Sequence, residues 1–185
     1  MRVRRAIERF LHAAIMATAA HRREITPCCD GPGRASLGDM PRYVSIAAAV
    51  HTTLRRAFLT ATPREFVGLL GGVRTTDSLG VTHFEPLPNA AIDTDSFTVD
   101  AVHFAAGEAT LRHRGCTWLG FVHSHAHGSA QPSARDRTQL WRDCLQLIVG
   151  SGGPNGRGID VRAFWFFASH YATLPIASVA NEVRT

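Results

Sequence analysis

A chain of 185 residues, 45% hydrophobic and 19% charged, has the size and composition of one globular domain, which excludes a disordered, collagen-like or disulfide-stapled protein. The net charge of +5 is gathered at the front: residues 1–39 carry seven Arg against four acids, and residues 40–185 carry thirteen against eleven. No basic stripe with interleaved aromatics follows, so no nucleic acid is expected as a partner.

Residues 1–24 are patterned as an arginine-rich amphipathic helix whose apolar run, about a dozen residues, is too short to span a bilayer. Three readings compete for it: an overcalled start upstream of Met40, a regulatory or docking helix, and a weak signal peptide interrupted by Glu8 and His12. The linker-like stretch TPCCDGPGRASLGD follows, so residues 1–39 are expected to form an extension and residues 40–185 the folded domain. A short strand is expected over 42–46, then a helix from Ala47 to Leu59 ended by Thr62-Pro63, because proline disfavours helix before it. The apolar run Phe66 to Leu70, closed by Gly71-Gly72, reads as a buried strand, and Val81 to Leu87 as its neighbour before the break at Pro88-Asn89. A helix is expected around 102–112, a buried strand over Trp118 to Val122, and a helix from Ser133 to Cys144. Strand Leu145 to Val149, the turn SGGPNGRG and a final aromatic strand over 161–167 complete an α/β domain. The turn lacks the GK[ST] ending of a phosphate-binding loop. Cys28, Cys29, Cys116 and Cys144 form no CxxC pair, which points to free thiols in a reducing, cytoplasmic setting rather than to a structural zinc site.

The chemistry concentrates in GFVHSHAHGSAQPSARD. Residues two apart on a strand share a side, so His123 and His125 can converge on one metal while Ser124 points away, and Asp136 on the next helix offers a third ligand. Two nitrogens and one oxygen suit zinc and leave a fourth tetrahedral position open, the mark of a catalytic site. Hydrolysis there needs a base for the water and a donor for the developing oxyanion, and Glu65 and Ser133 can supply them. Each residue also has a plainer reading. Ser133 and Asp136, three apart after Pro132, carry the signature of a helix capping box; the histidines alone could be ordinary polar residues at a strand end; Glu65 alone could be a surface residue. His127 and His103 have nothing fixing them and read as solvated or supporting histidines.

Taken together, Glu65 well upstream of His123-Ser124-His125, seven residues, Ser133, two residues and Asp136 resembles the JAMM (MPN-plus, prokaryotic JAB-type) zinc metalloprotease family. The stretches TPREFVGLLGG, LPNAA followed by Phe97, and WLGFVHSH carry the likeness across roughly residues 40 to 170. Where the family often has proline after the second histidine, this chain has Ala126. The resemblance implies a single MPN domain with a mixed, curved sheet flanked by helices. It also implies one Zn2+ per chain on His123, His125 and Asp136, with Glu65 as general acid/base and Ser133 steadying the tetrahedral intermediate. The substrate it implies is a peptide or isopeptide bond after the exposed, Gly-rich tail of a ubiquitin-like or sulfur-carrier protein, bound as an extended strand at a sheet edge. Because linkage-selecting relatives have longer insertions after this aspartate and the stretch after Asp136 is short, the resemblance implies a compact processing or deconjugating enzyme. The alternative is a non-catalytic MPN-type scaffold or interaction subunit. A zinc deaminase is set aside, because its P-C-x-x-C pattern does not occur. The sequence leaves the oligomeric state open.

Overall fold

In the computed structural model, which describes residues 40–152, 158–167 and 169–177, the apolar runs become eight strands and three helices. The expected extension over 1–39 and most of the SGGPNGRG turn lie outside the described residues. In chain order the elements are β1 (Tyr43–Ile46), α1 (Ala48–Ala61), β2 (Val67–Arg74), β3 (Ser78–Leu87), α2 (Ala101–His113), β4 (Thr117–His125), α3 (Ala134–Gln139), β5 (Leu145–Ser151), β6 (Ile159–Phe166), β7 (Tyr171–Leu174) and β8 (Ile176–Ala177).

The strands form one mixed sheet in the order β7-β6-β5-β4-β2-β3-β1-β8. β4 and β5 run parallel, joined through α3, whereas β2 pairs antiparallel with both β3 and β4. The two edge strands are consecutive in the chain, with only Pro175 between them. The segment hydrogen-bonds to β6 before Pro175 and to β1 after it, so the sheet curls until its edges are bridged. Val50, Leu54 and Phe58 of α1 pack with residues of β1 through β7 in one large cluster, which places that cluster inside the curl. The outer face carries α2 and two smaller clusters: Leu69, Phe104, Leu111, Phe121 and Cys144 in one, Ala130, Ile148, Phe164 and Phe166 in the other.

Strand alternation sorts side chains between these faces, but β4 does so only with an irregularity. Trp118 and Phe121 share the outer cluster while Leu119 and Val122 share the inner one, so one residue too many separates each pair. The register against β2 slips at this point, and Gly120 takes φ 155°, where a Cβ would lie 1.9 Å from the carbonyl oxygen of Leu145. The bulge sets which side the rest of β4 presents, and His123 and His125 follow Phe121 onto the outer face.

Four expectations are corrected. β2 does not close at Gly71-Gly72 but runs on to Arg74: β4 pairs with it as far as Gly72, and β3 carries the ladder on to Arg74. β4 continues through both histidines instead of stopping at Val122. The helix expected to reach Cys144 stops at Gln139: Leu140 turns extended, Trp141 packs among the outer aromatics, and Asp143 adopts φ 58° with its N–H on Phe166 O at 2.9 Å. Burial of two apolar side chains outweighs helix propensity there. Two short strands follow the one expected to be last; at four and two residues they carry no pattern of their own and are held by the ladders to β6 and β1.

Candidate metal centre

His123 and His125 stand on successive outward rungs at the end of β4, opposite Ile148 and Gly150 of β5. Asp136 enters from the first turn of α3. The three side chains bring one ligand atom each within 4.8 Å of one another. The two imidazole Nε2 atoms are 3.2 Å apart, His123 Nε2 lies 3.4 Å from Asp136 Oδ1, and His125 Nε2 lies 3.1 Å from Asp136 Oδ2. Ser129 O, 2.9 Å from His125 Nδ1, can only accept, so Nδ1 carries a proton and Nε2 is the ring nitrogen turned inward. His123 is fully buried against the Phe97 ring, centroids 4.7 Å apart, and its Nδ1 has no hydrogen-bond partner among the described residues.

The charges fit a cation. Burial holds the His123 imidazole below its ordinary value, with Asp136 opposing, so the ring is neutral and free to ligate. His125 is also penalised by burial, but Asp136 and the Ser129 carbonyl carry it above the usual range. Burial would push Asp136 up, yet the hydrogen bonds from His123, His125 and the Ser133 N–H hold it far below the carboxylate range. A carboxylate and two imidazoles converging this closely form an N2O donor set of the kind zinc takes.

Ser133 and Asp136 form a complete capping box: the Asp136 N–H donates to Ser133 Oγ at 3.1 Å and the Ser133 N–H to Asp136 Oδ2 at 2.7 Å. The capping and metal readings therefore coincide, since the same N–H that caps α3 also aims the carboxylate at the histidines. Ser133 Oγ accepts in this box, which leaves its own O–H free to donate.

Glu65 is placed by contacts that the spacing of the motif does not display. The Ser124 N–H donates to Phe66 O at 3.1 Å and Ser124 Oγ accepts the Phe66 N–H at 2.9 Å, fastening the residue after Glu65 to the strand between the two histidines. The Glu65 N–H donates to Thr94 O, and Asn89 Nδ2 donates to Glu65 O and Ser96 O, each at 2.9 Å. Burial, the largest influence, pushes the Glu65 carboxyl up to about 7 against the nearby His125 charge. Glu65, His125, Ser133 and Asp136 line one cavity of about 590 Å³, with His127 at its rim; no residue of edge strands β7 or β8 lines it. His103 lies elsewhere, at the start of α2, where its N–H and ring both engage Asp100.

Residues 47–167 match the family described as prokaryotic homologs of the JAB domain, Prok-JAB. The chain belongs to the Prok-JAB family. Its fold is similar to that of a Desulfitobacterium hafniense protein solved in solution, at 24% identity and a TM-score of 0.66 over 73% of this chain and 92% of that one. A Salinibacter ruber protein is similar at 20% identity and a TM-score of 0.55, over 76% and 95% of the two chains. A JAB1/MPN domain protein from Archaeoglobus fulgidus matches at 20% identity and a TM-score of 0.41, over 72% and 97%. Among curated proteins, none matches the sequence. Among the described residues of this Prok-JAB domain, no helix is long and apolar enough to cross a membrane.

Ser124, Asn89, Phe97 and Ser129 contribute to the site without having been assigned a role from sequence. Only Asn89 carried a local signal, as the turn residue after Pro88; its Oδ1 accepts the Ala91 and Thr98 N–H groups and so shapes the loop over the cavity.

Proposed function

We propose that this Prok-JAB domain is a zinc-dependent metallopeptidase or isopeptidase that cuts the bond after the C-terminal tail of a ubiquitin-like or sulfur-carrier protein. The observation that carries the reading is the convergence of His123, His125 and Asp136 beside a cavity that also holds Glu65 and Ser133. A zinc ion on the first three would supply Lewis-acid polarisation and a water acidified to a pKa of about 7. Glu65, pushed up to about 7 by burial, is poised to take a proton near neutrality and return it to the leaving amine. The Ser133 hydroxyl, whose oxygen already accepts the Asp136 N–H, has its proton to offer the oxyanion. The substrate class rests on the likeness of the motif to JAMM enzymes, and the tail would lie against the loop over residues 94–100 that borders the cavity.

Metal analysis of protein purified without added metal tests this. Wild type is expected to carry about one zinc per chain, His123→Ala close to none, and Glu65→Gln a full complement without hydrolysis. Metal-free wild type would sink the reading and favour a scaffold role.

A further inference from the structure

Below the metal-facing histidines the outer face of the sheet opens into an aromatic recess. β4 and β5 set Phe121 opposite Gln146 one outward rung before His123 and Ile148. Two residues of strand advance the chain by about 6.5 to 7 Å, so the recess begins one side-chain length from the histidines. It belongs to the same cavity, with Phe104, Phe121 and Trp141 as walls and Gln146 among the lining residues. Phe104 and Trp141 stack with centroids 5.8 Å apart, and Phe121 meets Trp141 at 5.3 Å. Gln146 is fully buried; its Nε2 donates to Trp141 O at 2.9 Å and to Cys144 Sγ at 3.3 Å, while its Oε1 has no hydrogen-bond partner among the described residues. The bond to Trp141 O fixes the amide orientation, since a reversed amide would set one carbonyl oxygen against another. A buried acceptor without a donor is costly, and a donor arriving with a ligand would remove that cost.

We propose that this recess takes the side chain of an aromatic residue on the amine side of the bond that is cut, with Gln146 Oε1 accepting a hydrogen bond from it, so that tyrosine is preferred to phenylalanine. The proposal rests on the metallopeptidase reading above: a glycine-rich tail has no side chain to fill the recess, so the occupant comes from the residue that leaves. Hydrolysis adds hydroxide to the tail carbonyl and a proton to the departing nitrogen, giving the tail carboxylate and an aromatic residue with a free α-amine. Aromatic walls suit an aromatic guest, through stacked and edge-to-face contacts.

The test begins with chelator-treated, metal-free wild type and four probes: N-acetyl tyrosinamide, phenylalaninamide, leucinamide and glycinamide, followed by tryptophan fluorescence and by NMR shifts. Tyrosinamide is expected to bind about tenfold more tightly than phenylalaninamide, the worth of one buried hydrogen bond, and glycinamide not to saturate. Gln146→Leu is expected to remove the tyrosine preference, so that the two aromatic amides bind equally; the comparison within wild type stands even if that variant misfolds. Equal binding of the two aromatic amides, or no saturable binding of either, overturns the proposal. Zinc-loaded wild type is then given peptides cut before Tyr or before Ala in a Gly-Gly-Xaa sequence. Equal rates overturn the pocket assignment and leave the peptidase reading intact, whereas tight aromatic binding with no hydrolysis of any peptide overturns the peptidase reading.

Discussion

Asp136 carries two duties on one carboxylate, accepting the Ser133 N–H while facing both imidazoles, and the two separate on mutation. Asp136→Ala is expected to cost about 0.5 to 2 kcal/mol of stability as a lost helix cap and to lower zinc affinity by more than tenfold as a lost ligand. Urea unfolding reads the first and chelator competition the second; zinc held as tightly as in wild type would leave Asp136 a cap alone. Glu65 sets a pH dependence of definite sign. Its carboxyl titrates at about 7 in the fold against an ordinary 4.5, with burial as the main cause. Between those values the unfolded chain has released its proton and the folded chain has not, so this contribution is whole below the lower value and is lost as pH rises through the upper one. Metal-free Glu65→Gln is therefore expected to resist urea better than metal-free wild type at pH 8 and to match it at pH 4. A gap of equal size at both pH values would show that ionisation of Glu65 is not the cause.

At the scale of elements, the site depends on β4 being held at the right height by its neighbours. Gly150 stands opposite His125 in β5, and a Cβ there would lie 2.4 Å from Ala130 N, 2.6 Å from Ser129 C and 2.7 Å from Gly128 O. The loop it would displace is the one that fixes the His125 tautomer through Ser129 O and ties to β5 through Ser151 N–H on Gly128 O at 3.0 Å. Gly150→Ala is thus expected to lower zinc affinity about 10- to 100-fold with every ligand still present, as changes to groups that orient a ligand do. Chelator competition beside wild type measures it, and unchanged affinity would mean that the loop yields without moving His125. α3 shows the limit of local pattern: its start is announced by Ser133 and Asp136, but its end is decided by Trp141 leaving to pack with Phe104 and Phe121.

For the whole molecule, the proposed metal ligands come from β4 and α3, which only the folded chain brings together. An unfolded chain lacks such a preformed site, so zinc should act as a ligand of the native state. Free zinc at 100 times its dissociation constant is expected to add about 2.7 kcal/mol to stability. Chelation should therefore lower the melting temperature of wild type and leave that of His123→Ala unmoved. Identical melting curves for wild type with and without chelator would refute the coupling.

Much of this was written locally. Alternation and apolar runs marked the strands that make the core, Thr62-Pro63 ended α1 at Ala61, and the offsets between His123, His125, Ser133 and Asp136 are short enough for one strand and one helix turn to express them. Glu65 was legible only as a member of that pattern, because its place depends on Phe66 pairing with Ser124, 58 residues away. The bulge at Gly120 that turns the histidines outward, the recess between Phe121 and Gln146, and the curl closed by β7 and β8 were invisible in the sequence. The sequence determined by itself which groups could do chemistry, since periodicity and spacing act within a few residues. Only the tertiary structure decided where they meet and what lies beside them, because strand register and burial are set by partners distant in the chain.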